Sequence, residues 1–234
     1  MELTIRNQKQ KYGRAPLEQP TPYGYIYVGA TIEPPDRLPL VRASARRDEV
    51  LARLKATAGR LAELGDVVDV TVFRAVLLPP VPTGPRFDVA VLIQTTTPDA
   101  IEDVRKAEPF QRLLDVAGEP LVMAARNLKR IGDVAEDRPG LFLFNHFTAA
   151  DADVAARLWE YLAGWYVAET GLDNSILLQP IGEAPYALVN HARWDDGLLR
   201  FAVRQFTKPS FVTYVRANLQ ANKVVAMPIL FTRA

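Results

Sequence analysis

Two apolar stretches in the second half of the chain decide the fold, and each contains the dipeptide Asn-His. The first reads Leu141-Phe142-Leu143-Phe144-Asn145-His146-Phe147, and the second reads Tyr186-Ala187-Leu188-Val189-Asn190-His191-Ala192-Arg193-Trp194. Such runs are typical of buried strands, in which an amide or an imidazole is unfavourable unless it finds a polar partner. His146 and His191 are the only 2 histidines of the 234 residues. We therefore expect the two strands to bring these polar groups together.

Working outward from these strands, the second half gives a complete β-α-β-β-α-β order. A helix is predicted from Asp151 to Thr170, where Gly171 ends it. The remaining predicted elements are a strand over 174–180, a helix after Asp196 through about Phe206, a further helical stretch from Pro209 to Leu219, and a closing strand over 224–232. Pro228 lies inside that last strand, which favours a sheet edge or a bulge.

The first half follows the same order after a polar, proline-containing arm at residues 1–24. A helix is predicted over about 44–64, with strands over 25–32, 69–78, 87–95 and 121–128 and a helix from Pro98 that is broken near Pro109. We place one unit at 25–132 and the other at 141–234, with a charged connector between them. The predicted fold class is α+β, with two tandem ferredoxin-like units whose bare sheet faces pair into a pseudo-dimeric α/β barrel.

The composition excludes several classes of protein. The chain is 49% hydrophobic and 24% charged, and 28 Lys and Arg against 27 Asp and Glu leave a net charge of +1. We therefore expect no nucleic-acid partner. No apolar run approaches the length of a membrane span, so no membrane partner is expected. The absence of cysteine excludes thiolate catalysis and Cys-based metal sites and suits a cytoplasmic protein.

The two histidines are the candidate catalytic residues. The first and third strands of a ferredoxin-like unit are neighbours, and we expect them to run parallel. Alternation along each strand would put His146 and His191 on one face and both asparagines on the other. One neutral imidazole could then act as a general base while the other orients it. The alternative is that each histidine only hydrogen-bonds a neighbour. Two histidines without a third ligand predict no metal site.

The candidate ligand-binding residues are Asn145, Asn190, Arg193 and Trp194. An amide can hold a carbonyl or dioxygen by hydrogen bonds, although the two asparagines could instead bridge each other across the strands. Trp194 could stack on a flat aromatic ligand or simply pack in the core. Arg193 falls on the His191 face, and we favour an ion pair with one of the aspartates that follow it.

Aromatic residues on two faces of the helix over 151–170 exceed what one sheet contact needs. These side chains either pack in the core, or meet the first unit or a second chain; the last alternative implies a homo-oligomer. The first unit lacks the polar groups. We align Gly29 with Asn145 and Ile93 with Asn190, which predicts a single site in the second unit.

The second half resembles the dimeric α/β-barrel superfamily, and in particular its antibiotic-biosynthesis-monooxygenase modules. The matching residues are Asn145, the run Ala192-Arg193-Trp194-Asp195-Asp196, Ser210-Phe211, and Val225-Ala226-Met227-Pro228. The resemblance implies a small aromatic or polyketide-like ligand. It also implies that Asn145 and Trp194 line the pocket, as their counterparts do in haem-degrading relatives.

Those relatives also bind the haem iron through a histidine on the helix that follows the third strand. This chain has no histidine after His191, and Tyr214 is the only residue there that could take that place. We therefore expect no cofactor. The predicted function is a small-molecule-binding barrel that acts as a cofactor-independent monooxygenase-like enzyme. The alternative is a non-catalytic ligand-binding or structural module.

Overall fold

Eight strands form one closed barrel in the computed structural model, which describes residues 2–7 and 12–234, with only the backbone of Phe206. The first half contributes β1 (Gly24–Ala30), β2 (Val67–Leu77), β3 (Val89–Thr95) and β4 (Leu121–Gly132). The second half contributes β5 (Leu141–Thr148), β6 (Ser175–Pro180), β7 (Leu188–Trp194) and β8 (Val225–Arg233).

The helices begin and end at residues that suit those positions. They are α1 (Ala45–Leu61), α2 (Ile101–Lys106), α3 (Glu108–Ala117), α4 (Ala152–Thr170), α5 (Leu198–Phe206) and α6 (Ala217–Ala221), with a 3₁₀ turn at Pro98–Ala100 and a π-helix at Phe211–Arg216. The Asp151 side chain accepts hydrogen bonds from the first amides of α4, and Gly171 ends that helix at a φ of 72°. Pro109 lies in the first turn of α3, where a missing N–H is tolerated.

The strand order around the barrel is β1-β3-β2-β8-β5-β7-β6-β4. Each half therefore has the ferredoxin-like order, and the halves join where β2 pairs with β8 and β4 pairs with β6. This arrangement confirms the predicted fold class of two β-α-β-β-α-β units in a pseudo-dimeric α/β barrel.

The expectation that the first and third strands run parallel is wrong, because β5 and β7 pair antiparallel. The crossover through α4 returns the chain so that β5 and β6 point the same way. The tight connection after β6 then reverses the chain, and β7 lies between β5 and β6 in the opposite direction.

Side chains alternate between the inside of the barrel and an outer face that helices cover. The inside is packed with aromatic rings, and Tyr27, Phe73, Phe142, Phe144 and Phe231 are all fully buried there. One outer face packs aliphatic residues of the first unit against α1 and α3. The other packs the second unit against α4, the π-helix and α6.

Pro228 lies in the middle of β8, where the sequence favours a sheet edge or a bulge. β8 pairs with β5 over 225–231 but with β2 only from Leu230 onward. Pro228 therefore occupies the part of β8 that has one strand partner, which is where a sheet tolerates the missing donor.

Among the described residues, no helix is both long and apolar enough to span a bilayer.

Candidate functional site

A narrow cavity lies between the sheet of the second unit and its helices. About 40 Å³ of it is open to the centres of water molecules, which is room for roughly three waters. Its walls come from β5, β7, α4, the π-helix and α6, and the chain segments before β6 and β8. The lining residues are Leu143, Asn145, Phe147, Ala155, Leu158, Trp159, Leu162, Ala163, Tyr166, Leu172, Asn190, Trp194, Val215, Leu219 and Val224.

Two asparagines face each other on the sheet side of this cavity. Asn145 of β5 and Asn190 of β7 are direct partners in the antiparallel register. The Asn190 Oδ1 accepts hydrogen bonds from Trp159 Nε1 at 2.9 Å and from Ser175 Oγ at 2.6 Å. The Asn145 Oδ1 is buried and has no hydrogen-bond partner. The pair therefore does not bridge itself, and one buried amide oxygen is left without a partner.

Trp194 forms part of the wall at the end of β7. Its Nε1 donates to Thr170 Oγ1 at 3.3 Å, and its ring packs against Phe201 with the centroids 4.6 Å apart. The indole is thus held from both sides, and its remaining surface faces the cavity.

Both histidines point into the barrel, on the opposite side of the sheet from the cavity. His146 is fully buried, with Nδ1 3.1 Å from the carbonyl oxygen of Met227 and Nε2 2.9 Å from the Tyr27 hydroxyl. A carbonyl can only accept, so Nδ1 carries the proton and Nε2 accepts from Tyr27. Burial lowers the pKa of His146 to about 4, so the imidazole is neutral at pH 7.

His191 is also fully buried and stacks on Phe144 with the ring centroids 4.1 Å apart. Its Nδ1 lies 3.1 Å from the carbonyl oxygen of Leu143. Its Nε2 lies 3.3 Å from Glu136 Oε1, close enough for an ion pair, although the angles do not make a hydrogen bond.

Arg193 and Tyr214 also lie away from the cavity. Arg193 donates to Asp195 Oδ1 at 2.7 Å and to the carbonyl oxygen of Pro139 at 2.8 Å, near the connector between the units. Tyr214 is fully buried and packs on Tyr161 and Tyr12, on the outer side of the helix layer. Of the seven candidate residues, the cavity brings together Asn145, Asn190 and Trp194.

Sequence reasoning missed three residues of the site. Trp159 and Tyr166 line the cavity, and Ser175 fixes the Asn190 amide. A signal for the first two exists, because they are seven residues apart on one face of α4. The hydroxyl of Ser175 at the start of an apolar strand gives no comparable sign of its partner.

The cavity does not fit haem. No lining residue is a histidine, and the buried Tyr166 has a pKa raised by desolvation, which disfavours the tyrosinate that an iron would need. Over residues 2–7 and 12–234, no group of three or more His, Cys, Asp or Glu residues is placed to hold a metal ion.

Solved structures with this architecture share little sequence with the chain. An anthrone oxidase-like protein superposes with a TM-score of 0.65 at 14% identity, covering 91% of each chain. A candidate monooxygenase from Fusobacterium nucleatum gives 0.55 at 8% identity, covering 90% of this chain and 91% of that one. A candidate monooxygenase from Lactobacillus acidophilus gives 0.53 at 11% identity, covering 91% and 94%. This chain has the dimeric α/β-barrel fold. No protein-family model matches the sequence, and no curated protein does so significantly.

Proposed function

We propose that the second unit binds a small aromatic or polyketide-like compound between its sheet and helices and oxidises it with dioxygen, without a cofactor. The observation that carries this proposal is the Asn145 Oδ1, a buried acceptor without a partner in an otherwise apolar cavity. An acceptor in such a place is unfavourable in the empty protein, and a ligand hydroxyl would satisfy it.

The aromatic character of the walls supports the ligand class. Trp159, Tyr166 and Trp194 line the cavity, and Trp159 and Trp194 have their indole N–H groups already bonded elsewhere. Their ring surfaces are therefore left to contact a flat molecule. A fold neighbour described as anthrone oxidase-like supports the same class of compound.

The reaction that fits is oxidation of an acidic ring CH₂ to a carbonyl. One oxygen atom of dioxygen enters the product, and the other leaves as water with the two hydrogens of the CH₂. The Asn145 Oδ1 would accept a hydrogen bond from a neighbouring phenolic hydroxyl and so orient the ring. The CH₂ proton would pass to water, since the carbanion that remains is delocalised over the adjacent rings and carbonyl, and that carbanion would then react with dioxygen. Neither histidine reaches the cavity, so we assign them no part in this step.

The test is oxygen uptake with 1,8-dihydroxyanthrone, corrected for its spontaneous oxidation. The wild-type chain should accelerate uptake, and Asn145→Leu should remove most of the acceleration. His191→Ala serves as the control, since this side chain lies on the other side of the sheet. Acceleration that is lost in His191→Ala and kept in Asn145→Leu would place the chemistry inside the barrel and overturn the proposal. Binding without any uptake would leave a ligand-binding module.

A further inference from the structure

The N-terminal arm crosses the outside of the helices that form the cavity wall. Two asparagines of the segment leading into β8 hold its main chain. Asn222 accepts from the Thr4 amide at 2.8 Å and donates to the Thr4 carbonyl at 2.7 Å. Asn218 accepts from the Arg6 amide at 2.7 Å and donates to the Arg6 carbonyl at 3.5 Å. Thr4 and Arg6 are two residues apart in the arm, and the side-chain amides that bind them, Asn222 and Asn218, are four residues apart. This part of the arm is therefore held in an extended conformation.

Further along the arm, Tyr12 contacts two helices that also touch each other, through the Tyr161–Tyr214 stack and the hydrogen bond from Trp165 Nε1 to Ser210 Oγ. Its ring packs edge-on against Tyr214 of the π-helix, with the centroids 4.8 Å apart. Its hydroxyl donates to Glu169 of α4 at 3.2 Å. The arm is therefore attached both to α4 and to the segment containing the π-helix and α6, which are two walls of the cavity.

The close approach of the arm to α4 explains a glycine inside that helix. Gly164 is buried in the middle of the helix, where glycine costs about 1 kcal/mol relative to alanine. A Cβ at this position would collide with the carbonyl oxygen of Gly13. The arm therefore requires Gly164. Gly59, inside α1, offers the contrast, because a Cβ there would meet nothing within 4 Å.

The arm makes few apolar contacts of its own. Of its described residues, Ala15 is buried and Leu3 and Tyr12 are partly buried against the core of the second unit, while most of the others are exposed. A segment held mainly by main-chain hydrogen bonds at the surface opens at a low free-energy cost compared with the core beneath it. The arm is thus released more easily than the helices on which it lies.

The cavity beneath the arm is too small for the ligand class proposed above. Its 40 Å³ of space open to water centres holds a few waters, whereas a fused aromatic ring system needs several times more. α4 and the π-helix must therefore separate before such a ligand enters. The contacts that oppose this separation include the Tyr161–Tyr214 stack and the Lys208–Glu169 ion pair. The arm adds the contacts of Tyr12 and Gly13 and those of the two peptide groups bound by Asn218 and Asn222.

We propose that the N-terminal arm is a strap that keeps the cavity closed and that ligand entry requires its release. This inference rests on the proposed function, because it assumes that the cavity takes a small molecule. Affinity for the ligand is then set by the equilibrium between molecules with the arm bound and molecules with the arm released. If only a small fraction has the arm released, a variant that frees the arm raises the apparent affinity by the inverse of that fraction.

The test compares Gly164→Ala with Gly59→Ala in the full chain. Hydrogen exchange over residues 2–7 and 12–17 reports the arm, and titration with 1-anilinonaphthalene-8-sulfonate reports the cavity. Gly164→Ala should expose the arm to exchange and raise dye affinity roughly tenfold or more, while Gly59→Ala should change neither. Adding Ala163→Val, which narrows the cavity, should remove the gain and so distinguish the cavity from other dye sites.

A second variant, Asn218→Ala with Asn222→Ala, releases the arm without touching α4. An arm that exchanges freely in either variant while dye affinity stays at the wild-type value would overturn the strap and leave the proposed function standing. An arm that stays protected in both variants would also contradict it, because the contacts named here would not be what holds the arm. If wild type and released variants bind neither the dye nor 1,8-dihydroxyanthrone, the proposed function fails and the strap fails with it.

Discussion

The two units share one topology but differ at the centre of the sheet face that their helices cover. In the first unit the central cross-strand pairs are Ile26 with Ile93 and Val28 with Val91, all nearly fully buried. In the second unit the corresponding position holds Asn145 opposite Asn190. The first unit is therefore filled by aliphatic packing, and the second has an amide pair beside a cavity.

This difference shows how two units of one topology can differ at a single buried position of the same sheet face. A buried amide is unfavourable unless it is bonded, and the second unit supplies bonds to Asn190 but none to the Asn145 oxygen. The alignment of Gly29 with Asn145 is wrong, because Gly29 pairs with Ala90 and shares the barrel interior with Tyr27. Residues of the Val28 face are the true counterparts.

The largest effect should come from a buried charge in the first unit. Asp88 is fully buried, accepts from the amides of Ile32 and Glu33 at 2.7 and 2.8 Å, and pairs with the buried Arg47 at 3.2 Å. Asp88→Ala should lower the free energy of unfolding by about 3–5 kcal/mol, since it leaves Arg47 charged and unpaired. Urea unfolding measures the change.

The control for this variant is Arg112→Ala, which removes the exposed ion pair with Glu108. It should change the free energy of unfolding by less than about 1 kcal/mol. Equal effects of the two variants would mean that the first unit tolerates an unpaired buried charge. Tolerance of an unsatisfied buried polar group would then no longer distinguish the second unit from the first.

The next effect is a pH dependence at the place where the units meet inside the barrel. His146 of the second unit accepts from Tyr27 of the first, and burial lowers its folded-state pKa from the ordinary 6.5 to about 4. Between these two values the unfolded chain binds the proton and the folded chain does not. The contribution of neutral His146 to the free energy of unfolding is therefore fully present above pH 6.5. It falls by about 3 kcal/mol as the pH drops to 4.

Thermal or urea unfolding across that range measures the slope. In His146→Phe the part of the slope that belongs to this group should vanish. A wild-type profile that is flat between pH 4 and 6.5 after subtraction of the variant would show that His146 titrates normally in the fold.

A third prediction concerns Asn190, the bonded member of the amide pair. Asn190→Leu leaves the Trp159 N–H without its acceptor in a buried place, while the Ser175 hydroxyl keeps only the carbonyl oxygen of His191 at 3.2 Å. The free energy of unfolding should fall by about 2–3 kcal/mol. Adding Trp159→Phe removes the orphaned donor and should recover part of the loss. No recovery would mean that packing, and not the missing acceptor, is responsible.

Much of the fold followed from the sequence because strand alternation and helix stops are local. The pattern around Asn145 and Asn190 correctly placed both amides on one face and both histidines on the other. Strand direction depends on the connections and not on the apolar pattern, because the crossover through α4 makes β5 and β6 parallel and the connection to β7 then reverses the chain. The expected parallel pairing overlooked these connections and was wrong, although the faces were right.

The site itself was less accessible to sequence reasoning. Whether a polar atom has a partner depends on residues that are remote in the chain, such as Trp159 for Asn190 and Tyr27 for His146. The contacts of the arm leave almost no pattern, since Asn218 and Asn222 bind main-chain groups whatever the side chains are. Gly164 inside a helix was the one local sign of that contact.

The smallest effect on stability is expected at Asn145, directly opposite Asn190. Its Oδ1 is buried without a partner, so Asn145→Leu removes an unfavourable group and adds apolar contact. The free energy of unfolding should stay unchanged or rise by up to about 1 kcal/mol, which urea unfolding can resolve against the loss expected for Asn190→Leu. The same change should remove most of the acceleration of 1,8-dihydroxyanthrone oxidation. A stable and inactive variant is the signature of a group kept for a ligand, because selection for stability alone would have made this face resemble that of the first unit. Clear destabilisation by Asn145→Leu would instead mean that this amide supports the fold, and the two units would then differ in packing alone.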